Sequence, residues 1–135
     1  MSLSISTVAR TAACAGIVDL LDAGGTIQVR TGTKPATPET AATGTLLCTC
    51  TCNAPAFGTP STGAASLITS PAVNGTAVAD GTAGYFRILD STSTAVADGT
   101  ITASGGGGDM IVTSTSVVTG GTLTVTSLTV TVPVS

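Results

Sequence analysis

Three cysteines, Cys48, Cys50 and Cys52, alternate with Thr49 and Thr51. In an extended strand this spacing sends all three thiols to one face, with α-carbons about 6.6 Å apart. Nearest members are awkwardly placed for a disulfide, and a straight row does not make a tetrahedral metal cage. Cys14 lies in a helical stretch and faces the same strand if the helix packs there. The expected role of the four is small apolar filler in the core, beside Leu46. Two alternatives stay open: a thiolate metal site built from Cys14, Cys48, Cys50 and Cys52, and a disulfide from Cys14 to one strand cysteine under oxidising conditions.

Other chemistry is sparse. The chain has no histidine, which removes the usual general base near neutral pH, imidazole-based triads and imidazole zinc sites. Asp19 and Asp22, three apart near the end of the helical stretch, read as a solvated face. The run Gly105-Gly106-Gly107-Gly108 lacks the Lys-Ser/Thr of a phosphate-binding loop and reads as a flexible Gly-rich loop over 105–108. Asn74-Gly75-Thr76 reads as a turn. Phe57, Tyr85 and Phe86 are the only aromatics, too few for a stacking platform; Phe57 and Phe86 are expected as core anchors. No catalytic residue and no cofactor is expected, and the chain is read as non-enzymatic.

The elements that hold these residues are mostly strands. One helix is expected over about 7–23, with Val8, Ala12, Ala15, Val18 and Leu21 on its apolar stripe and Ile17 and Leu20 widening it. Ser4 or Ser6 serves as N-cap and Gly24-Gly25 as the left-handed exit, while Arg10 lies off the stripe. Strands are expected at 26–31, 45–53, 65–69, 77–79, 84–90, 94–103 and 110–112, with Tyr85 to Asp90 at the centre of the scaffold. The Pro- and Thr-rich stretch over about 32–44 is a loop or arm. In the last run Leu123 and Val125 share one face, whereas Leu128, Val130 and Val132 share the other, which implies a bulge or burial on both faces. Thr76–Thr82 recurs letter for letter as Thr94–Thr100; the copies read as equivalent strand-to-bend units with a tight turn or bulge at each Asp-Gly. The fold class is mainly β: an antiparallel β-sandwich or barrel-like domain with one N-terminal α-helix, a single domain over 1–135.

Composition narrows the function further. Charged residues make up 8% of the chain, the net charge is −3, and the only cations are Arg10, Arg30, Lys34 and Arg87. Nothing clusters positive charge, so neither nucleic acid nor membrane is an expected partner. No run reaches the ~20 apolar residues of a membrane span, and Met1-Ser2-Leu3-Ser4 carries no secretory pattern, which points to synthesis in a cytoplasm. A mean hydropathy of +0.55 with so few ions suits a hydroxyl-coated β surface that is partly hidden in an assembly.

An order of motifs carries a resemblance. Ile17-Val18-Asp19-Leu20-Leu21-Asp22-Ala23-Gly24 leads into Ile27-Gln28-Val29-Arg30-Thr31-Gly32, then Lys34-Pro35-Ala36, Ala42-Thr43-Gly44-Thr45-Leu46-Leu47 and Asn53 with Pro55-Ala56-Phe57-Gly58. Gly84-Tyr85-Phe86-Arg87-Ile88-Leu89-Asp90, Val96-Ala97-Asp98-Gly99-Thr100 and a closing Thr/Val strand follow. Over nearly its whole length the chain resembles small structural proteins of tailed bacteriophages and prophages; Cys48, Cys50 and Cys52 stand where that pattern has aliphatic residues. The resemblance implies a homo-oligomeric virion component: a capsid decoration, or cement, protein on the capsid surface, assembled in a bacterial cytoplasm. Its implied partners are the major capsid protein and copies of itself, as a trimer. A tail, baseplate or fibre-associated protein and a host-surface adhesin are the alternatives. Lys34, Pro35, Pro38, Arg30 and Arg87 are the expected protein-interface residues.

Overall fold

The computed structural model describes residues 3–22 and 24–133. Helix α1 (Thr7–Asp19) precedes ten strands: β1 (Thr26–Arg30), β2 (Leu46–Thr51), β3 (Ala64–Ser66), β4 (Asn74–Thr76), β5 (Gly81–Thr82), β6 (Tyr85–Leu89), β7 (Ala95–Ala103), β8 (Met110–Val112), β9 (Ser116–Val117) and β10 (Thr122–Thr131). The main sheet runs β2-β1-β6-β7-β8-β10-β3, with β4 also paired to β10, while β5 and β9 form a separate ribbon. All pairs are antiparallel except β7 with β8.

The sheet curls until its ends meet. Beside β4, the Val78 amide donates to the Leu47 carbonyl of β2 at 2.7 Å. Gly75 lies so close to β2 that a Cβ there would sit 2.4 Å from the Thr49 carbonyl oxygen. That approach is open only to glycine, so the Asn74-Gly75-Thr76 stretch, expected as a turn, is instead the strand that closes the barrel.

Two bulges set which side chains face inward. Register between β1 and β2 shifts at Val29/Arg30, which inserts Leu47 and lets Leu47 and Cys48 both point into the core. Register between β10 and β8 shifts at Val125/Ser127. Thr126 is the extra residue, so Leu123 and Val125 before it and Leu128 after it all reach the interior. This is the bulge that the switch of apolar side in the sequence implies. Without it Leu128 would face water, at roughly 1.5–3 kcal/mol for a side chain of that size.

Helix α1 is shorter than expected and turned. Ser6 is its N-cap, accepting from the Ala9 amide at 3.2 Å. Its buried side chains are Cys14 and Val18, continued by Leu21 in the turn that follows, whereas Val8 is 81% and Leu20 52% exposed. The helix meets the barrel at β3 and at Val130 of β10, whose carbonyl accepts from the Cys14 thiol at 3.7 Å. In its first turn Val8 faces solvent while Arg10 lies against the 61–63 turn. Bonds from the Leu20 and Leu21 amides to Ile17 and Val18 tighten the last turn and end it, and Gly24 adopts φ +125 as the exit. Ala23, the last expected helical residue, lies outside the described residues.

The repeated heptapeptide folds two ways. Thr94–Thr100 lies almost wholly within β7, Asp98 opposite Arg87 and Gly99 opposite Phe86. Thr76–Thr82 leaves β4 and bends, with Ala77 buried and Val78 exposed, before entering β5. Neither Asp-Gly makes a positive-φ turn. The copies differ because their partners do: the second lies against β6 along its length, while the first is held by Leu47 and by the 119–121 turn. The strand expected at 77–79 is therefore absent.

Candidate functional site

The four thiols are all free and buried at 0–7% exposure, and Cys48, Cys50 and Cys52 do share one face of the β2 segment. Cys48 lies opposite Val29 and Cys50 opposite Ile27, in the centre of the core. The adjacent Cys50 thiol, as a hydrogen-bonding neighbour, holds Cys48 below the ordinary thiol range, while Cys48 and then burial push Cys50 up. Burial alone raises Cys14 and brings Cys52 to about 11. Among the described residues no three cysteine or acidic side chains gather as metal ligands would. The geometry suits apolar filler. A thiol reagent should therefore label essentially none of the native protein while labelling four thiols per chain after denaturation, read by absorbance.

The carboxylates do structural work that the sequence hides. Asp22, expected on a solvated face, accepts from the Ala56 amide at 2.9 Å and the Phe57 amide at 3.4 Å, docking the Pro55 loop under the helix end. Asp80 accepts from the Thr119 amide and hydroxyl at 2.7 and 2.9 Å. Asp90 organises the 90–94 turn through Thr92 and Thr94. Asp109 accepts from the Thr100 amide and hydroxyl. Asp98 takes both arms of the Arg87 guanidinium at 2.7 and 2.9 Å. Thus five of seven carboxylates accept hydrogen bonds from the chain itself, Asp80 and Asp109 doing so at exposed positions. Hydrogen bonds from Thr119 and Thr92 hold Asp80 and Asp90 below the usual carboxylate range. A depressed folded pKa contributes stability above the unfolded value, about 3.9, that is lost as pH falls through the folded one. The Thr119 amide resonance should accordingly shift in NMR with a midpoint below that of a free aspartate.

The expected interface residues separate into two groups. Arg87 is 5% exposed and its charge is spent on Asp98, which with the burial of the strand on both faces removes it from the surface. Pro35 is buried as well. Lys34 is exposed, Pro38 half-buried, and Arg30 reaches Gln28 Oε1 at 3.2 Å and the Gly44 carbonyl at 3.5 Å, not an acid. The 32–44 stretch is a loop stapled to the body, not a free arm. The Tyr85 hydroxyl donates to the Thr43 carbonyl at 2.7 Å and accepts from the Thr43 amide at 3.0 Å. Tyr85→Phe preserves volume but removes both bonds; a loss of about 1–2 kcal/mol is expected, with faster amide exchange across 32–44 than elsewhere.

The tetraglycine, expected as flexible, is folded over Thr102: the Gly108 amide donates to its hydroxyl at 2.9 Å, and a Cβ on Gly106 would meet its Cβ at 2.5 Å. Arg10 lies across the 61–63 turn, reaching the Thr62 carbonyl at 3.5 Å. Among the described residues the exposed large apolar side chains are Leu3, Val8, Leu20, Val78 and Val118. Val78 and Val118 sit on two turns joined by bonds between Ala77 and Gly120–Gly121. A cleft of about 210 Å³ opens between β7 and β10. Among the described residues no helix is long and apolar enough to cross a membrane. Comparison with protein-family models, with curated proteins and with solved structures finds no match for this chain.

Proposed function

We propose that this chain is a non-enzymatic structural subunit of a tailed-phage virion, and within it a decoration protein that cements the head. The observation that carries the reading is the disposition of charge. Arg87 and Asp98 are paired in the interior and four further aspartates are engaged by amides and hydroxyls of the chain itself, which leaves few charges for a surface dominated by hydroxyls, backbone and small apolar groups around a barrel-like body. Such a surface suits contact with protein over solvation by ions. The order of motifs resembling phage structural proteins supports the same reading. Its partners are then the major capsid protein and copies of itself arranged as a trimer, on the outside of the capsid, and many weak contacts sum to firm attachment through multivalency.

Co-sedimentation with undecorated capsids tests this. Binding that saturates at a ratio tied to lattice symmetry, with capsids that then resist heat better, is the expected result. Binding to isolated tails but not heads would transfer the protein to the tail, and binding to neither would overturn the virion reading.

A further inference from the structure

The main sheet lacks one strand's length of ladder. β8 pairs with β7 only over Ile101–Ala103 and with β10 only over Val125–Leu128. Beyond those limits β7 extends back to Ala95 and β10 on to Thr131, with no strand between them among the described residues. Where β8 separates them, β7 and β10 stand two ladder spacings apart, about 9.6 Å. The 210 Å³ cleft continues that space in line with β8. Ala97 and Gly99 form one wall, Thr129 and Thr131 the other, and Phe86 and Ile88 the apolar floor.

Both walls turn backbone toward the slot. On its other edge β10 is bonded at alternate residues, Leu67 N–H to the Leu128 carbonyl and Val132 N–H to Gly63. The intervening Thr129 and Thr131 therefore direct their amides and carbonyls into the slot. On β7 the Thr100 amide is taken by the Asp109 carboxylate at 3.0 Å, which closes the slot at the β8 end. Asp98, two residues back, directs its backbone the same way. Since β7 and β10 run antiparallel to each other, an inserted strand pairs parallel with one and antiparallel with the other in either orientation.

The chain also carries a fitting insert. Leu3-Ser4-Ile5-Ser6 alternates apolar and hydroxyl residues, the pattern of a strand with one buried face. It is uncharged, it has no ladder partner, and Leu3 is 75% exposed. We propose that the slot between β7 and β10 receives the Leu3–Ser6 segment of a second copy, with Leu3 and Ile5 on the Phe86–Ile88 floor and backbone bonds to both walls. This self-association is independent of the capsid reading, and either can stand without the other.

Sedimentation of the full chain over a roughly hundredfold concentration range, in which mass action drives association, tests it. Wild type should grow in mass with concentration. An arm variant, Leu3→Asp with Ile5→Asp, and a slot variant, Ala97→Glu, should each stay at the 12.9 kDa of one chain. Mixed, they should recover a one-to-one dimer that grows no further, because only one intact arm and one intact slot remain. If Ala97→Glu does not fold, Thr129→Pro removes a slot-facing amide in its place. A wild type that stays at single-chain mass, an arm variant that associates like wild type, or a mixture that recovers nothing would each overturn the proposal.

Discussion

Asp98→Ala should destabilise the domain by roughly 3–5 kcal/mol, the cost of stranding a buried charge. Arg87 lies in β6 between β1 and β7, with Gln28 opposite on one side and Asp98 on the other. Its side chain is 6% and that of Asp98 3% exposed. Two charge-assisted bonds replace the water both groups give up, and hydrogen bonding to Asp98 raises the arginine above its ordinary value. Removing the acid leaves the guanidinium no acidic partner. Replacing both residues with apolar side chains of similar volume should restore most of the loss, since the penalty belongs to the unpaired ion. Urea denaturation of the two single variants and the double variant measures the coupling. A loss below about 1 kcal/mol, the range of exposed pairs, would show that water reaches Arg87.

Gly75→Ala should be nearly as damaging, and for an unrelated reason. Gly75 does not have a positive φ, so alanine is not excluded by its backbone conformation. The cost is contact: the added carbon would lie 2.4 Å from the Thr49 oxygen, 2.9 Å from its carbon and 3.3 Å from the Cys50 sulfur. Two of those atoms are backbone, so β4 must draw away from β2. About 3 kcal/mol is expected, the upper part of the overpacking range, with the fastest amide exchange at the seam that the Val78–Leu47 bond closes. Gly16→Ala is the internal control. Its new carbon meets nothing within 4 Å and the residue is helical, so the substitution should stabilise by roughly 0.5–1 kcal/mol.

Much of the fold was legible where a local pattern coincides with a tertiary one. Ile27 and Val29 alternate because one face of β1 is core. The change of apolar side after Val125 announced the bulge, because Leu128 has no other route inward. Ser6 capped the helix and the three strand thiols shared a face, both consequences of fixed geometry. What stayed hidden depends on partners far along the chain. Val8 fits a helical stripe, but the side of that turn that meets the body carries Arg10 and Val8 is left in solvent. Thr76–Thr82 and Thr94–Thr100 cannot be told apart by their letters, and only their neighbours separate bend from strand. The parallel pairing of β7 with β8 and the short strands β4, β5 and β9 have no signal of their own. Asp22, Asp80 and Asp109 look like solvated acids until the amides they accept from come into view. The interface expectation failed at Arg87 and Pro35 because a charged or proline-rich stretch says nothing about what covers it.

The burial of the one ion pair among the described residues bears on the media in which the domain can persist. Screening shortens electrostatic reach from about 10 Å at 0.1 M to about 3 Å at 1 M, and it acts through solvent. The Arg87–Asp98 pair is sealed from that solvent, and the aspartate latches close on amides and hydroxyls a single bond away. Brine and dilute buffer therefore find little to weaken in this domain.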